Sequence, residues 1–142
     1  MADLIHVDIS SAEAALFSGE AEMVFAPAEQ GEVGIAPKHS PLLTRLAPGE
    51  VRVVTGKGEQ VFFVSGGVLE IQPSVVTILS DVAERAADID EAAALEAKRK
   101  AEETLAQRQK DEVDLARAQA ELAESLARLR VLQRIRDRKR SH

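Results

Sequence analysis

The serine, histidine and carboxylate side chains of this chain are the ones that could do chemistry, and their spacing argues against catalysis. Ser65-Gly66-Gly67 has the small residues of a nucleophile turn but lacks the strand-to-helix elbow that surrounds the serine of a hydrolase. No glycine-rich loop ending in lysine follows an apolar run, so a phosphate cradle is not expected. The 142 residues include 3 histidines, far apart, and no cysteine, which removes thiolate chemistry, disulfides and sulfur-ligated metals. Most of the 24 carboxylates fall in turns or at helical surface spacing, where a solvated charge is the ordinary state. The expected catalytic residues, metal ligands and cofactors are therefore none, and the chain is expected not to be an enzyme.

Binding is better supplied. The run from Gly31 to Thr44, GEVGIAPKHSPLLT, followed by Leu46-Ala47-Pro48-Gly49, uses glycine and proline to fix a sharply turned path. It reads as a loop and edge segment whose shape matters. Charge is also unevenly distributed: residues 1–87 carry a net charge of −7, residues 88–127 carry −5 and residues 128–142 carry +6, from 7 bases and 1 acid. An acidic body repels nucleic acid, so only the tip could bind a polyanion, and an acidic protein surface suits it equally well. A few of the tip bases would be accounted for by the negative end of a helix dipole, but 7 exceed that need.

Two kinds of element must hold these segments. All 8 glycines, all 5 prolines and all 4 phenylalanines precede residue 74, whereas residues 83–142 are dominated by Ala, Leu, Glu, Arg, Lys and Gln. The first part reads as strands and the second as helices. Ile5, Val7 and Ile9 alternate with polar residues and predict a strand over 3–9. Six further short apolar runs, beginning at Ala15, Met23, Val51, Val61, Val68 and Val75, predict eight to ten strands in an antiparallel sandwich, with hairpin turns at Gly56-Lys57-Gly58 and Gly66-Gly67.

Asp88 with Glu91 predicts the start of a helix whose face is Ala94, Ala97, Ala101 and Leu105 and whose end lies near Arg108. Asp111 with Asp114 predicts a second start. Its stripe is Leu115, Ala118, Leu122, Leu126, Leu129 and Leu132, and it runs to about Asp137. A polar link from Gln107 to Lys110 predicts an antiparallel hairpin. Leu115, Leu122 and Leu129 share a face on which the next position is Arg136, so the apolar stripe ends in charge. No apolar run approaches the roughly 18 residues of a membrane span, and Met-Ala-Asp-Leu-Ile-His does not resemble a signal peptide, so a soluble chain on the cytoplasmic side is expected.

The segments Gly31 to Thr44, Phe63 to Pro73 (FVSGGVLEIQP), Val76 to Asp81 (VTILSD) and Glu96 to Glu103 (EAKRKAEE), in that order, resemble the epsilon subunits of bacterial rotary (F-type) ATP synthases. The resemblance covers almost the whole chain. It implies an all-β sandwich of about ten strands over residues 1–87, docking on the gamma subunit and the c-ring, and a two-helix regulatory hairpin over residues 88–142. It also implies a non-catalytic rotor part of the central stalk of a proton-translocating synthase. Such a subunit is peripheral on the cytoplasmic face of the inner membrane and inserts no segment into lipid. In such subunits the hairpin lies folded or extends among the alpha and beta subunits, where it blocks ATP hydrolysis.

By the resemblance Glu32 and His39 match positions in loops facing the c-ring, although His39 alone reads as a turn histidine bonded to local backbone. Arg128, Arg130, Arg134 and Arg136 are the implied inhibitory contacts with acidic residues of the beta subunit. Some relatives bind ATP through Ile-Asp-x-x-Arg-Ala. Here Ile89-Asp90-Glu91-Ala92-Ala93-Ala94 keeps Asp90 but has Ala93 in place of arginine. Glu84, Lys100 and Arg130 fall near other nucleotide positions, yet Leu126 stands where an arginine is expected, so weak or absent ATP sensing is implied. Two other roles fit the same residues: a coupling subunit whose hairpin inhibits little, and a free-standing adaptor joining two proteins.

Overall fold

The computed structural model describes residues 3–107 and 110–140. The chain divides into two compact units, Met1–Ala87 and Asp88–His142.

In the first unit ten strands follow one another: β1 Ile5–Ser11, β2 Ala15–Ala21, β3 Met23–Ala28, β4 Gly31–Ile35, β5 Leu42–Leu46, β6 Gly49–Thr55, β7 Gly58–Val64, β8 Gly67–Ile71, β9 Val75–Ser80 and β10 Ala83–Arg85. They are hydrogen-bonded in the order β10-β7-β6-β3-β5-β8-β9-β1-β2, with β4 added to β3. This is the all-β sandwich of the sequence reading. β3 meets β5 only through Ala28 and Leu46, where the sheet passes from one layer to the other. The alternating residues Ile5, Val7, Ile9, Val24, Ala26, Val51, Val53, Leu69, Ile71, Val76 and Ile78 fill the space between the layers with Phe62. Each is fully withdrawn from water, which stabilises the unit by roughly 1.5–3 kcal/mol for each large side chain. Between β10 and β2, the Arg85 guanidinium donates to the Leu16 carbonyl at 2.6 Å.

Two details of topology depart from the expectation. The sandwich is not wholly antiparallel, because β1 and β9 run parallel. Parallel neighbours need a long connection, and the seven intervening strands provide it. Gly56-Lys57 does turn a hairpin, with Thr55 opposite Gly58. Gly66-Gly67 does not: β7 pairs with β6 and β10, whereas β8 pairs with β5 and β9, so the two glycines carry the chain between layers. Ser65 is occupied there, its hydroxyl accepting from the Val82 amide at 3.1 Å and lying 3.3 Å from the Ser80 hydroxyl.

The second unit begins at the last residue of a short 3-10 turn, Ala86–Asp88, and contains α1 Glu91–Ala106 and α2 Glu112–Arg140. The cap of α1 is Asp90 rather than Asp88: its carboxylate accepts from the Ala93 amide at 3.0 Å, while Asp88 is spent in the 3-10 turn. The helix stops at Ala106, and Arg108, with Gln109 of the link, lies outside the described residues. Asp111 caps α2 by accepting from the Asp114 amide at 2.8 Å. α2 runs three residues beyond Asp137, giving 29 residues and a length of about 44 Å.

Ala94 and Ala101 of α1 are buried, as are Ala118 and Ser125 of α2. The seam of α2 takes Ser125 where the leucine pattern suggested Leu126, which is 36% exposed. From Leu122 a step of three reaches Ser125 and a step of four reaches Leu126, about 100° apart around the helix, and the structure buries the first; Ala127 and Val131 are buried as well. The serine is tolerated because its hydroxyl donates to the Glu121 carbonyl at 2.8 Å.

At the outer face of β1, His6 lies between Glu20 on β2, at 3.0 Å from Nδ1, and Asp8, at 3.1 Å from Nε2. Two carboxylates can both be met only when both ring nitrogens carry protons, so the geometry favours the imidazolium. The hydrogen bond to Glu20 is the largest effect on the His6 pKa and raises it above 6.5; desolvation, next in size, opposes the rise, and the hydrogen bond to Asp8 adds to it. A raised pKa stabilises the fold below the unfolded value, and that contribution is lost as pH rises through the folded value. The expected result is a melting temperature that declines from about pH 6.5 upward in wild type, with the decline flattened in Glu20→Gln. Identical pH profiles for the two proteins would show that His6 does not titrate against Glu20.

Candidate functional site

The segment Gly31 to Thr44 comprises β4, the loop that follows it and the start of β5. Contrary to the expectation of a loop, Glu32 stands on strand β4, opposite Pro27 of β3. The strand escaped sequence reading because two glycines interrupt its alternation. Glu32 is half exposed, and its carboxylate lies 3.6 Å from Arg52 on β6. His39 is in the loop between β4 and β5, where its Nδ1 donates to the Ser40 carbonyl at 2.7 Å. That bond places the proton on Nδ1 and leaves Nε2 as an acceptor in the neutral ring. The preceding Lys38 has φ of +69°, a left-handed turn that bends the loop back, and its amide donates to the Pro73 carbonyl at 2.9 Å. Lys38 also pairs with Asp3 at 3.4 Å. Glu32 is thus carried by a paired strand and His39 by a loop tied to the Pro73 carbonyl.

In the second unit the basic end of α2 is joined to the start of α1. Both amino groups of Arg136 donate to the two carboxylate oxygens of Glu91, Nη1 to Oε1 at 3.2 Å and Nη2 to Oε2. The guanidinium holds the Glu91 carboxyl below its ordinary value, and the carboxylate raises the arginine. The pair is therefore intact at neutral pH and is lost only as acid protonates Glu91. Sequence reasoning placed Arg136 at the end of the leucine seam but missed its partner. Seven-residue spacing from Leu129 to Arg136 carries the seam to the position beside the first turn of α1 in an antiparallel pair, and Glu91 is the acid of that turn.

Arg130 and Arg134 are exposed on α2 and Arg128 is half buried. Of the residues considered for a nucleotide, Asp90 is committed to capping α1, Lys100 and Arg130 lie exposed on α1 and α2, and Glu84 lies on β10 opposite Phe63. Among the described residues no group of three or more His, Cys, Asp or Glu could hold a metal ion, and no helix is long and apolar enough to cross a membrane.

Two family models match the chain: the beta-sandwich domain of the ATP synthase delta/epsilon chain over residues 4–86, and the long alpha-helix domain of the same chain over residues 87–133. It is 63% identical over 137 residues to the ATP synthase epsilon chain of Nitrosococcus oceani, covering 96% of this chain and 97% of that one. It is 59% identical over 135 residues to the epsilon chain of Alkalilimnicola ehrlichii, covering 94% and 96%. Among solved structures, a chain of the Euglena gracilis mitochondrial ATP synthase has the same fold, with a TM-score of 0.80 at 20% identity, covering 91% of this chain and 81% of that one.

Proposed function

From the premise that this chain belongs to the ATP synthase delta/epsilon family, as a bacterial F-type epsilon subunit of the central stalk and not itself an enzyme, we propose that it couples ring rotation to the catalytic hexamer and restrains ATP hydrolysis. The segment bearing Glu32 and His39 meets the c-ring of a proton-translocating synthase, and the rest of the sandwich holds the gamma subunit. The subunit is peripheral, on the cytoplasmic face of the membrane. The hairpin supplies restraint: when α2 parts from α1 and extends into the catalytic hexamer, the bases Arg128, Arg130, Arg134 and Arg136 reach acidic residues of the beta subunit. The observation that carries this reading is the Glu91–Arg136 pair, because it closes the hairpin through the same arginine that an acidic partner would take. A two-state element responds to a partner only through such differential binding. The same pair favours, as a second reading, a hairpin that stays shut and inhibits little.

The coupling half is tested by Glu32→Gln with His39→Ala in reassembled synthase at matched subunit occupancy. Protons pumped per ATP hydrolysed should fall about threefold or more, while the melting temperature of the free subunit moves by no more than a few degrees, as for other exposed substitutions. Normal pumping by the double variant would remove both residues from the ring contact.

A further inference from the structure

Arg52 stands on β6 where the alternation Val51, Arg52, Val53 buries the two valines in the interior and turns the arginine outward. Its guanidinium lies 4.2 Å from the centre of the Phe25 ring, which belongs to its cross-strand neighbour on β3. Each nitrogen faces a different carboxylate: Nε is 3.5 Å from Glu50 on β6, Nη1 is 3.5 Å from Glu59 on β7, and Nη2 is 3.6 Å from Glu32 on β4. One planar cation thus links four strands. Phe25 is itself seated against β4, because Gly34 is its partner there. A Cβ at residue 34 would come within 3.3 Å of the Phe25 ring and 3.0 Å of the Met23 methyl, so a larger residue there would push the ring or the methyl by a few tenths of an ångström.

β4 needs such support. It is five residues long, pairs with β3 alone, and has Ile35 as its one buried residue. Little apolar burial fixes it, and an edge strand of this kind opens easily. We propose that Arg52 is a positioning residue for Glu32: stacked on Phe25 and steadied by Glu50 and Glu59, it fixes the Glu32 carboxylate and the edge strand that carries it. The proposal rests on the reading above only for what Glu32 then meets, the c-ring. Lysine could not replace arginine fully, because a compact ammonium lacks the planar face that stacks on Phe25 and the fork that meets three acids at once.

The test has two arms. In the full-length subunit, Arg52→Gln should accelerate hydrogen exchange of the β4 amides about tenfold, with those of β1 and β9 changed less than about twofold, and Arg52→Lys should fall between. Unchanged β4 exchange, or equal acceleration in every strand, would overturn the proposal. In reassembled synthase, Arg52→Gln should lower the pumping ratio as Glu32→Gln does, and the double variant should be no worse than either single one. Additive losses would mean that Arg52 acts through something other than Glu32. If Glu32→Gln pumps normally while β4 exchange responds as expected, the ring contact fails and the positioning role stands.

Discussion

Gly67→Ala should deprive the sandwich of its fold. Gly67 has φ of +115°, and an added Cβ would lie 2.0 Å from the Leu79 carbonyl oxygen and 2.8 Å from the Ser80 Cα. Both are backbone atoms of β9, a strand held on one side by β8 and on the other by β1, so relief requires breaking ladders rather than turning a side chain. The backbone strain alone costs on the order of 1–3 kcal/mol, and the clash brings the total above about 4 kcal/mol, which few substitutions reach. A domain of this size has a total stability of about 5–15 kcal/mol. The β-sheet melting temperature should therefore fall by about 15 °C or more, or the cooperative transition should vanish. A variant that melts within about 3 °C of wild type would show that β9 yields where the geometry says it is pinned.

Reversing the sign of the α2 tip should release hydrolysis, provided that the hairpin is kept closed. Arg→Glu at 128, 130, 134 and 136 sets like charges against an acidic partner, but at 136 it also sets two carboxylates against each other, because Glu91 is the partner already in place. Glu91→Arg in the same chain restores an opposite pair. The quintuple variant should raise ATP hydrolysis by reassembled synthase about tenfold or more, since several exposed pairs acting on one two-state element add up. Glu91→Gln alone should do the reverse and lower the rate a few-fold at low salt, because it opens the hairpin and leaves every tip base in place. Equal rates in wild type and quintuple variant would mean that the tip is a solvated helix end. A rise in Glu91→Gln would mean that the closed hairpin is the inhibitory form.

Much of the fold was legible in the chain because local patterns dominate it. Period-two alternation in β1, β6 and β9 needs only a buried face to fix which residues point inward, and the absence of Gly and Pro beyond residue 73, where only β9 and β10 precede the helices, goes with the change to helix. The segments that became β4 and β5 were not read as strands. Gly31, Gly34 and the prolines gave them a turn-like composition, and pairing with β3 and β8 supplied the hydrogen bonds that composition did not promise. Asp90 won the cap from Asp88 because the preceding turn consumed Ala86–Asp88.

By itself the sequence determined the two architectures, the bounds of the charge step, the seam that ends at Arg136 and the family resemblance that its separated motifs carry. Those follow from residue type and near spacing. Tertiary structure alone decided which distant groups meet: Gly67 against β9, His6 between Asp8 and Glu20, Arg52 among Glu32, Glu50 and Glu59, and Glu91 with Arg136 across 45 residues. A hydrophobic pattern fixes the face a residue takes on its own element. Which cation then stands beside which carboxylate depends on the order and register in which the elements come together, and that is settled by the burial of the whole core.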